Sequence, residues 1–280
     1  MARNVAESFD LVVYNRSPEP TEPFAADGVP VADSPREVTE RADVTVVMVT
    51  NGDAVLAVLD GEDGVAAGLE DGDYVVNAST IAHEDTMAAA DVVADAGGRF
   101  VDCPVSGTVG PAEDGTLTML AGGAEADVDA VEDVLAAMGE PVVRCGGVGD
   151  GTHAKHAVNL LLGDMMQSFA ESLALANANG LDVDVLLEAI STGAMACTLF
   201  DVKGEMIAEG DFEPAFPVDL QFKDLRLALD SASDAEVPLP ATAATKEAGS
   251  AVRALGHGEE DMAAFVRGIE AVTGEKIRRE

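Results

Sequence analysis

The chain has 280 residues, and its 52 acidic side chains outnumber the 16 basic ones to give a formal net charge of −36. Such a negative surface excludes general affinity for nucleic acids and anionic membranes, while a hydrophobic content of 48% argues against disorder. The acidic residues are spread along the whole chain and there are only five lysines, a pattern that resembles adaptation to a high-salt cytoplasm and not an acidic binding tail.

Short β-rich runs alternate with amphipathic helical segments in the first half of the chain. Buried strands are predicted at 11–14, 44–49, 74–77, 99–102, 115–122 and 142–145. Helices are predicted between some of these strands, at 35–41, 81–96 and 128–138. This alternation is typical of βαβ units, so the first half is expected to be an α/β domain with a parallel sheet.

The pattern becomes helical throughout after Gly151. One long alanine- and leucine-rich helix is predicted over 153–180, well beyond the average length of a globular helix. Further helices are predicted at 183–191, 222–233, 241–255 and 262–273. We therefore predict a parallel-sheet domain over 1–147 followed by an all-α domain over 148–280.

Lys155 is the residue that the sequence singles out most strongly. It follows the glycine-rich run from Gly147 to Gly151 and lies within about one turn of a helix start, where the macrodipole disfavours an ammonium group. Asn159 lies four residues further on and shares the same helix face. An amine in this position gives up a proton easily, which suits acid–base chemistry; an ordinary surface lysine is the alternative interpretation.

Hydroxyl groups and free backbone amides follow two of the predicted strands. Ser106, Gly107 and Thr108 end the run Asp102-Cys-Pro-Val-Ser-Gly-Thr108 and suit a carboxylate or carbonyl oxygen, although an ordinary strand-to-loop turn would have the same composition. Asn77-Ala-Ser-Thr80 likewise follows a strand, at the edge where open α/β sheets bind their ligands. Both runs are therefore candidate binding segments.

These segments, together with Phe216-Pro-Val-Asp-Leu-Gln-Phe-Lys-Asp-Leu225, resemble the β-hydroxyacid dehydrogenases. The similarity follows essentially the whole chain in order, which makes it more specific than any single motif. It implies an oxidoreductase that transfers a hydride between NAD(P) and a small carboxylate-bearing substrate, a β-hydroxy acid such as 3-hydroxyisobutyrate. It also implies a Rossmann-like domain, an all-helical domain for substrate binding and dimerisation, and a homodimer or homotetramer.

The resemblance also implies roles for individual residues. Lys155 would exchange a proton with the substrate hydroxyl during hydride transfer, and Asn159 would orient the substrate. Substrate binding is expected at Ser106, Gly107 and Thr108, where Thr108 replaces a glycine that is usual in the family and would narrow or repolarise the carboxylate pocket. Cofactor binding is expected at Met48, Val49, Thr50, Thr80, Phe216 and Lys223.

The beginning of the chain departs from the family pattern. A dinucleotide-binding domain opens with a strand and Gly-x-Gly-x-x-Gly, whereas Met1 to Phe9 resembles the middle of the first helix. We therefore expect an N-terminally truncated Rossmann-like domain without its first strand and glycine-rich loop. Either the start was assigned at an internal methionine, which we favour because losing a central strand is costly, or the chain is truly shortened.

The choice of cofactor is predicted from Asn15-Arg16-Ser17, which follows the strand at 11–14. A carboxylate there would bind the adenosine ribose and favour NAD, but the first acidic residue is Glu19. Arg16 can pair with a 2′-phosphate, so the sequence favours NADP over NAD, with a plain surface arginine as the alternative. The three cysteines show no metal-binding spacing, and no metal site is predicted.

Two other functions remain open. A non-catalytic, oligomeric binding or scaffold protein derived from a dehydrogenase would explain the missing glycine loop, but not the joint retention of the candidate site residues. A 6-phosphogluconate dehydrogenase-like enzyme would need several cations for its phosphorylated substrate, and Arg226 is the only arginine between Arg144 and Arg253. The chain has no signal segment and no membrane-spanning run, so a soluble cytoplasmic protein without nucleic-acid or membrane partners is expected.

Overall fold

The computed structural model describes residues 1–279, which form two compact units, Met1–Lys155 and the residues from His156 onward. The first unit is a mixed α/β structure and the second is helical. The predicted fold class, a Rossmann-like sheet domain followed by an all-α domain, is confirmed. No helix within the described residues is both long and apolar enough to cross a membrane.

The first unit contains one six-stranded sheet. Its strands are β1 Val44–Val47, β2 Tyr74–Asn77, β3 Arg99–Asp102, β4 Val105–Ser106, β5 Thr118–Gly122 and β6 Val142–Gly146. Their order in the sheet is β1-β2-β3-β5-β4, with β6 paired to β5. Strands β1, β2 and β3 are parallel to one another and β6 is parallel to β5, but β5 runs antiparallel to both β3 and β4. The predicted parallel sheet is therefore confirmed for β1–β3 and for β5 with β6, and the two antiparallel pairings of β5 are an addition that was not predicted. The connection between β4 and β5 is too short for the crossover that a parallel pair needs, and β4 itself was not predicted.

Helices cover both faces of this sheet. Val75 of β2 packs in one apolar cluster and its neighbour Val76 packs in another, as expected for a strand buried on both sides. Side-chain caps fix two helix starts, since Ser34 Oγ accepts from Glu37 N and Asn51 Oδ1 accepts from Ala54 N. The helices are α1 Ala2–Ala6, α2 Glu22–Ala26, α3 Pro35–Thr39, α4 Gly52–Leu59, α5 His83–Asp95, α6 Val109–Asp114 and α7 Glu125–Met138.

The segment 11–14 is not the buried strand that its sequence predicts. Its one strand-like pairing among the described residues is an isolated parallel bridge between Val13 and Val31, and all four of its residues are only half-buried. Val13 accepts a hydrogen bond from Ala32 N and donates one to Pro30 O, but its neighbours form no ladder. A β-rich run becomes a strand only where a second backbone meets it in register.

The second unit is built from helices around one aromatic and aliphatic core. Phe169 and Phe200 stack with ring centroids 4.6 Å apart, and Phe265 is fully buried in the same cluster. The long helix α8, Asp150–Ala178, begins in the first unit. The boundary between the two units, after Lys155, falls inside this helix. The helix α10 was not predicted, although its buried positions 200, 203, 204, 207 and 208 recur at helical spacing; two of them are a lysine and a glycine, which weakens the apolar pattern in the sequence. The helices are α8 Asp150–Ala178, α9 Val183–Ser191, α10 Thr198–Glu209, α11 Val218–Asp234, α12 Pro240–Ala254 and α13 Phe265–Thr273.

Candidate active site

Lys155 lies in the second turn of α8, where the sequence places it. Only 7% of its surface is exposed, so it is not the solvated surface lysine of the alternative interpretation. Asn159, one turn further along the same helix, is also buried. A buried lysine and a buried amide on one helix face are expensive to desolvate, which is the usual mark of a functional position.

The start of α8 is held by a buried carboxylate from the end of β3. Asp102 Oδ1 accepts from Gly149 N at 2.7 Å, and Oδ2 accepts from Thr152 N at 2.7 Å and from Thr152 Oγ1 at 3.1 Å. Burial raises the pKa of Asp102, while these three hydrogen bonds act in the opposite direction. The carboxylate thus supports the turn that immediately precedes Lys155.

Asn159 is oriented by a carboxylate that the sequence prediction missed. Asn159 Nδ2 donates to Asp224 Oδ2 at 2.5 Å, and Lys223 Nζ lies 3.0 Å from Asp224 Oδ1 as an ion pair rather than a directed hydrogen bond. The backbone oxygen of Asn159 accepts from Gln221 Nε2 at 3.1 Å. The signal was available, because positions 221, 224, 225 and 228 recur at helical spacing and form the buried face of α11.

Ser106, Gly107 and Thr108 lie where β4 ends and α6 begins. Ser106 pairs with Thr118 of β5, and Thr108 is the N-cap residue of α6 but makes no side-chain cap bond. Gly107 has a φ of +139°, and a Cβ there would lie 2.7 Å from Leu117 Cδ2, so no other residue fits this backbone. Ser106 is half-exposed and the other two residues are exposed, which leaves their polar groups accessible.

The candidate cofactor residues of the first unit cluster at the carboxyl ends of β1 and β2. Ser79 Oγ accepts from Val49 N at 2.9 Å and ties the two strand ends together. Met48 keeps 54% of its surface exposed, and Thr50 is exposed as well. The buried Nδ2 of Asn77 has no hydrogen-bond partner within the described part of the chain. Thr80, half-exposed, follows directly on the same segment.

Arg16 lies in an exposed turn that its neighbours close. Asn15 Nδ2 donates to Ser17 O at 2.8 Å and to Ser17 Oγ at 3.2 Å, which bends the chain around the arginine. All three residues are exposed. A guanidinium beside a hydroxyl is a donor set that fits a phosphate group.

Phe216 lies in the second unit in a segment fixed by Asp261. The carboxylate of Asp261 accepts from Ala215 N at 3.1 Å and from Phe216 N at 3.0 Å, and it pairs with Lys203 Nζ at 2.8 Å. Asp261 was also missed by the sequence prediction. No group of three His, Cys, Asp or Glu side chains in the described residues could hold a metal ion.

Comparison with known proteins places the chain in one family. Residues 1–147 match the model described as the NAD binding domain of 6-phosphogluconate dehydrogenase, and residues 149–269 match that of the NAD-binding region of NADP-dependent 3-hydroxyisobutyrate dehydrogenase. The chain is 34% identical over 271 residues to glyoxylate/succinic semialdehyde reductase 1 of Arabidopsis thaliana, covering 96% of this chain and 94% of the relative.

Two further relatives extend this picture. The crystal structure of 3-hydroxyisobutyrate dehydrogenase from Salmonella typhimurium superimposes with a TM-score of 0.86 at 29% identity, covering 95% of this chain and 94% of that one. The cytokine-like nuclear factor N-PAC of Homo sapiens is 32% identical over 257 residues, which is 92% of this chain but 46% of that protein. The two family matches and the high coverage together show that the chain belongs to the β-hydroxyacid dehydrogenase family of NAD(P)-dependent oxidoreductases.

Proposed function

We propose that the protein transfers a hydride between NADP and a small β-hydroxy acid such as 3-hydroxyisobutyrate, with Lys155 as the general acid and base. The observation that carries this proposal is the burial of Lys155 one helical turn from the buried amide of Asn159. A lysine that is removed from water, in a chain with only five lysines, is best explained by proton transfer at the substrate hydroxyl.

The two α8 residues have complementary roles in the proposed reaction. In the direction of oxidation, Lys155 Nζ accepts the proton of the substrate hydroxyl as the carbon–hydrogen bond breaks; in the direction of reduction, it returns that proton. The nicotinamide, when bound, supplies the hydride acceptor or donor. Asn159 has its side-chain orientation fixed by Asp224, which can accept only from Nδ2, so the amide is pre-organised to orient the substrate.

The substrate carboxylate is assigned to the Ser106–Thr108 segment. The exposed backbone amides and hydroxyl groups there are neutral donors, which suit one carboxylate better than a doubly charged phosphate. The scarcity of arginine in the helical half also disfavours a phosphorylated sugar acid, although one matching family model takes its name from 6-phosphogluconate dehydrogenase. The relative named glyoxylate/succinic semialdehyde reductase supports a small unphosphorylated substrate.

We propose that the dinucleotide binds at the accessible strand ends of the first unit. Arg16 and Ser17 would hold the 2′-phosphate of NADP, and the unpartnered Asn77 Nδ2 shows that a buried donor remains available at the end of β2. The exposed apolar Met48 suits contact with a ring system. The remaining residues proposed to contact the cofactor are Asn15, Val49, Thr50, Thr80, Phe216 and Lys223.

A scaffold protein is the second candidate function, and the relative named as a nuclear factor supports it. It would not need Lys155 and Asn159 to be buried side by side, which favours the enzyme. We further propose a salt-adapted, cytoplasmic homo-oligomer. The exposed apolar residues Leu161 and Leu175, two heptads apart on α8, support self-association through that helix.

The test has two stages. NADPH and NADH are first titrated into the protein in concentrated KCl, and oxidation of hydroxy acids by NADP⁺ and by NAD⁺ is then assayed. The substrates are 3-hydroxyisobutyrate, 4-hydroxybutyrate, glycolate and 6-phosphogluconate. The proposal predicts saturable binding, tighter for NADPH, and turnover of at least one unphosphorylated acid. Binding of neither dinucleotide by the folded protein would favour the scaffold, and selective turnover of 6-phosphogluconate would overturn the substrate class.

A further inference from the structure

Asp102 is a buried carboxylate to which the proposed reaction gives no role. It is fully buried at the end of β3; its Oδ1 accepts a hydrogen bond from Gly149, just before α8, and its Oδ2 accepts one from Thr152 in the first turn of α8. Thr152 donates to it twice, through its backbone amide and its hydroxyl. Burying an ionised carboxylate is expensive, so its presence here needs a reason beyond filling space.

The surrounding backbone is shaped to admit this carboxylate. A Cβ on Gly122 would lie 2.5 Å from Asp102 Oδ1, and a Cβ on Gly151 would lie 2.9 Å from Asp102 Oδ2. Both contacts are too short for any side chain, so two glycines from different elements make room for one acidic group. A longer acid such as glutamate would not fit the same space.

The chemistry of the contacts requires a carboxylate and not an amide. Gly149 N donates to one oxygen and Thr152 donates to the other, so both side-chain oxygens must be acceptors. An asparagine has a single acceptor oxygen and would turn its NH₂ group toward a donor. The negative charge also lies at the positive end of the α8 macrodipole, where it is stabilised.

The turn that Asp102 holds by hydrogen bonds immediately precedes Lys155 in α8. Thr152 precedes Lys155 by three residues, so the two side chains are neighbours on the helix surface. Thr152 Oγ1 also lies 3.0 Å from Thr86 Oγ1 of α5, and His83 of α5 stacks on His153 at a centroid distance of 4.1 Å. The first turn of α8 is therefore held from two sides, by β3 and by α5.

We propose that Asp102 is a positioning residue for Lys155. Its carboxylate fixes where α8 begins and so sets the depth and direction of the lysine side chain. This inference rests on the proposed role of Lys155 in proton transfer. It does not require Asp102 to touch either substrate or cofactor.

The experiment compares Asp102→Asn with two other variants in the full chain. Asp150→Asn is the matched control, because it removes an exposed carboxylate at the same helix start that accepts only from Gly147 N. Thr152→Val removes one hydroxyl donor and leaves both backbone bonds to Asp102. Two quantities are measured. The first is kcat and KM for the hydroxy acid and for NADP⁺, its hydride acceptor. The second is the acylation rate of Lys155 by acetic anhydride, read by mass spectrometry against Lys276 as internal reference.

We expect kcat of Asp102→Asn to fall by about 10- to 100-fold with the KM for NADP⁺ within about twofold, because the lysine is misplaced while the cofactor residues are untouched. Lys155 should be acylated at least about threefold faster, because a helix start that is held less firmly exposes the buried amine to the reagent more often. Thr152→Val should change both quantities less and in the same direction, and Asp150→Asn should leave both unchanged.

The two readouts separate the two proposals. If the wild-type protein turns over none of the acids, the proposed function fails, while the acylation of Lys155 still tests the role of Asp102. If the wild-type protein is active and Asp102→Asn keeps its kcat and its Lys155 acylation rate, the positioning role is refuted. Should Asp102→Asn fail to fold, Thr152→Val decides, and wild-type behaviour in both readouts would refute the proposal.

Discussion

Replacement of Lys203 by methionine should destabilise the protein strongly, although Lys203 takes no part in the proposed reaction. Its side chain is 4% exposed and its ammonium lies 2.8 Å from the carboxylate of Asp261, whose side chain is fully buried. Lys203→Met keeps most of the side-chain volume and removes the charge. The carboxylate is then left buried without its counter-ion, which is the costly half of a broken ion pair.

The size of this loss in unfolding free energy depends on the hydrogen bonds that Asp261 retains. Removing one member of a buried pair costs about 3–5 kcal/mol, and Asp261 retains hydrogen bonds from Ala215 N, Phe216 N and Ala263 N. These three donors place the cost near the lower end, at about 3 kcal/mol. For a chain of this size, that loss lowers the midpoint of thermal unfolding by about 6–12 °C.

The assay is urea unfolding of the wild type and the variant at low and at high KCl, with Arg279→Met as the control. Arg279 pairs with Asp184 and Glu205 on the surface, so its loss should cost far less than the loss of Lys203, and less still as salt screens the pair. The cost of Lys203→Met should persist at high salt, because a buried pair is screened little. A cost below about 1 kcal/mol, or one that disappears in KCl, would refute the reasoning.

Three further predictions test other parts of the structure. Gly122→Ala should cost about 1–3 kcal/mol of unfolding free energy, since its Cβ would lie 2.5 Å from a carboxylate oxygen, whereas Gly110→Ala, with open space around it, should be neutral in the same urea assay. Burial, and then the charge of Asp53, raise the pKa of Asp85. The stability that Asp85 contributes is therefore full below about pH 4 and is lost as the pH rises, so Asp85→Asn should stabilise the fold at neutral pH and not at pH 3. Arg16→Ala should weaken NADPH binding by about 10- to 100-fold in calorimetry and leave NADH binding unchanged; equal losses for both would refute a 2′-phosphate contact.

A helix or strand could be predicted from sequence where one of its faces packs against the rest of the protein, because that packing sets the spacing of its apolar residues. The predicted strand at 74–77 and the predicted helix at 183–191 coincide with β2 and α9, because their apolar patterns reflect neighbours on well-defined faces. The strand at 11–14 failed for the opposite reason: its pattern is β-like, but a ladder needs a partner that the pattern cannot supply. The antiparallel direction of β5 depends on connection length and was not visible in composition.

The residues of the candidate site also divide into those that the sequence predicts and those that only the folded structure identifies. Lys155 and Asn159 stand out in sequence because their types and spacing have few structural explanations. Asp102 and Asp224 were quoted only as parts of motifs, and their importance depends on which backbone amides and side chains they meet across 47 to 65 residues of chain. Long-range hydrogen bonds of this kind leave no local periodicity, so only the folded structure reveals them.

Lys155→Met tests whether Lys155 transfers the proton in the proposed reaction. The measurement is kcat for the best unphosphorylated hydroxy acid with saturating NADP, beside the affinity for NADPH and with Lys276→Met as the control. We expect kcat to fall by about 10²- to 10⁴-fold in Lys155→Met while NADPH still binds, and Lys276→Met to behave as the wild type. A Lys155→Met protein that turns over its substrate within about tenfold of the wild-type rate would contradict the account.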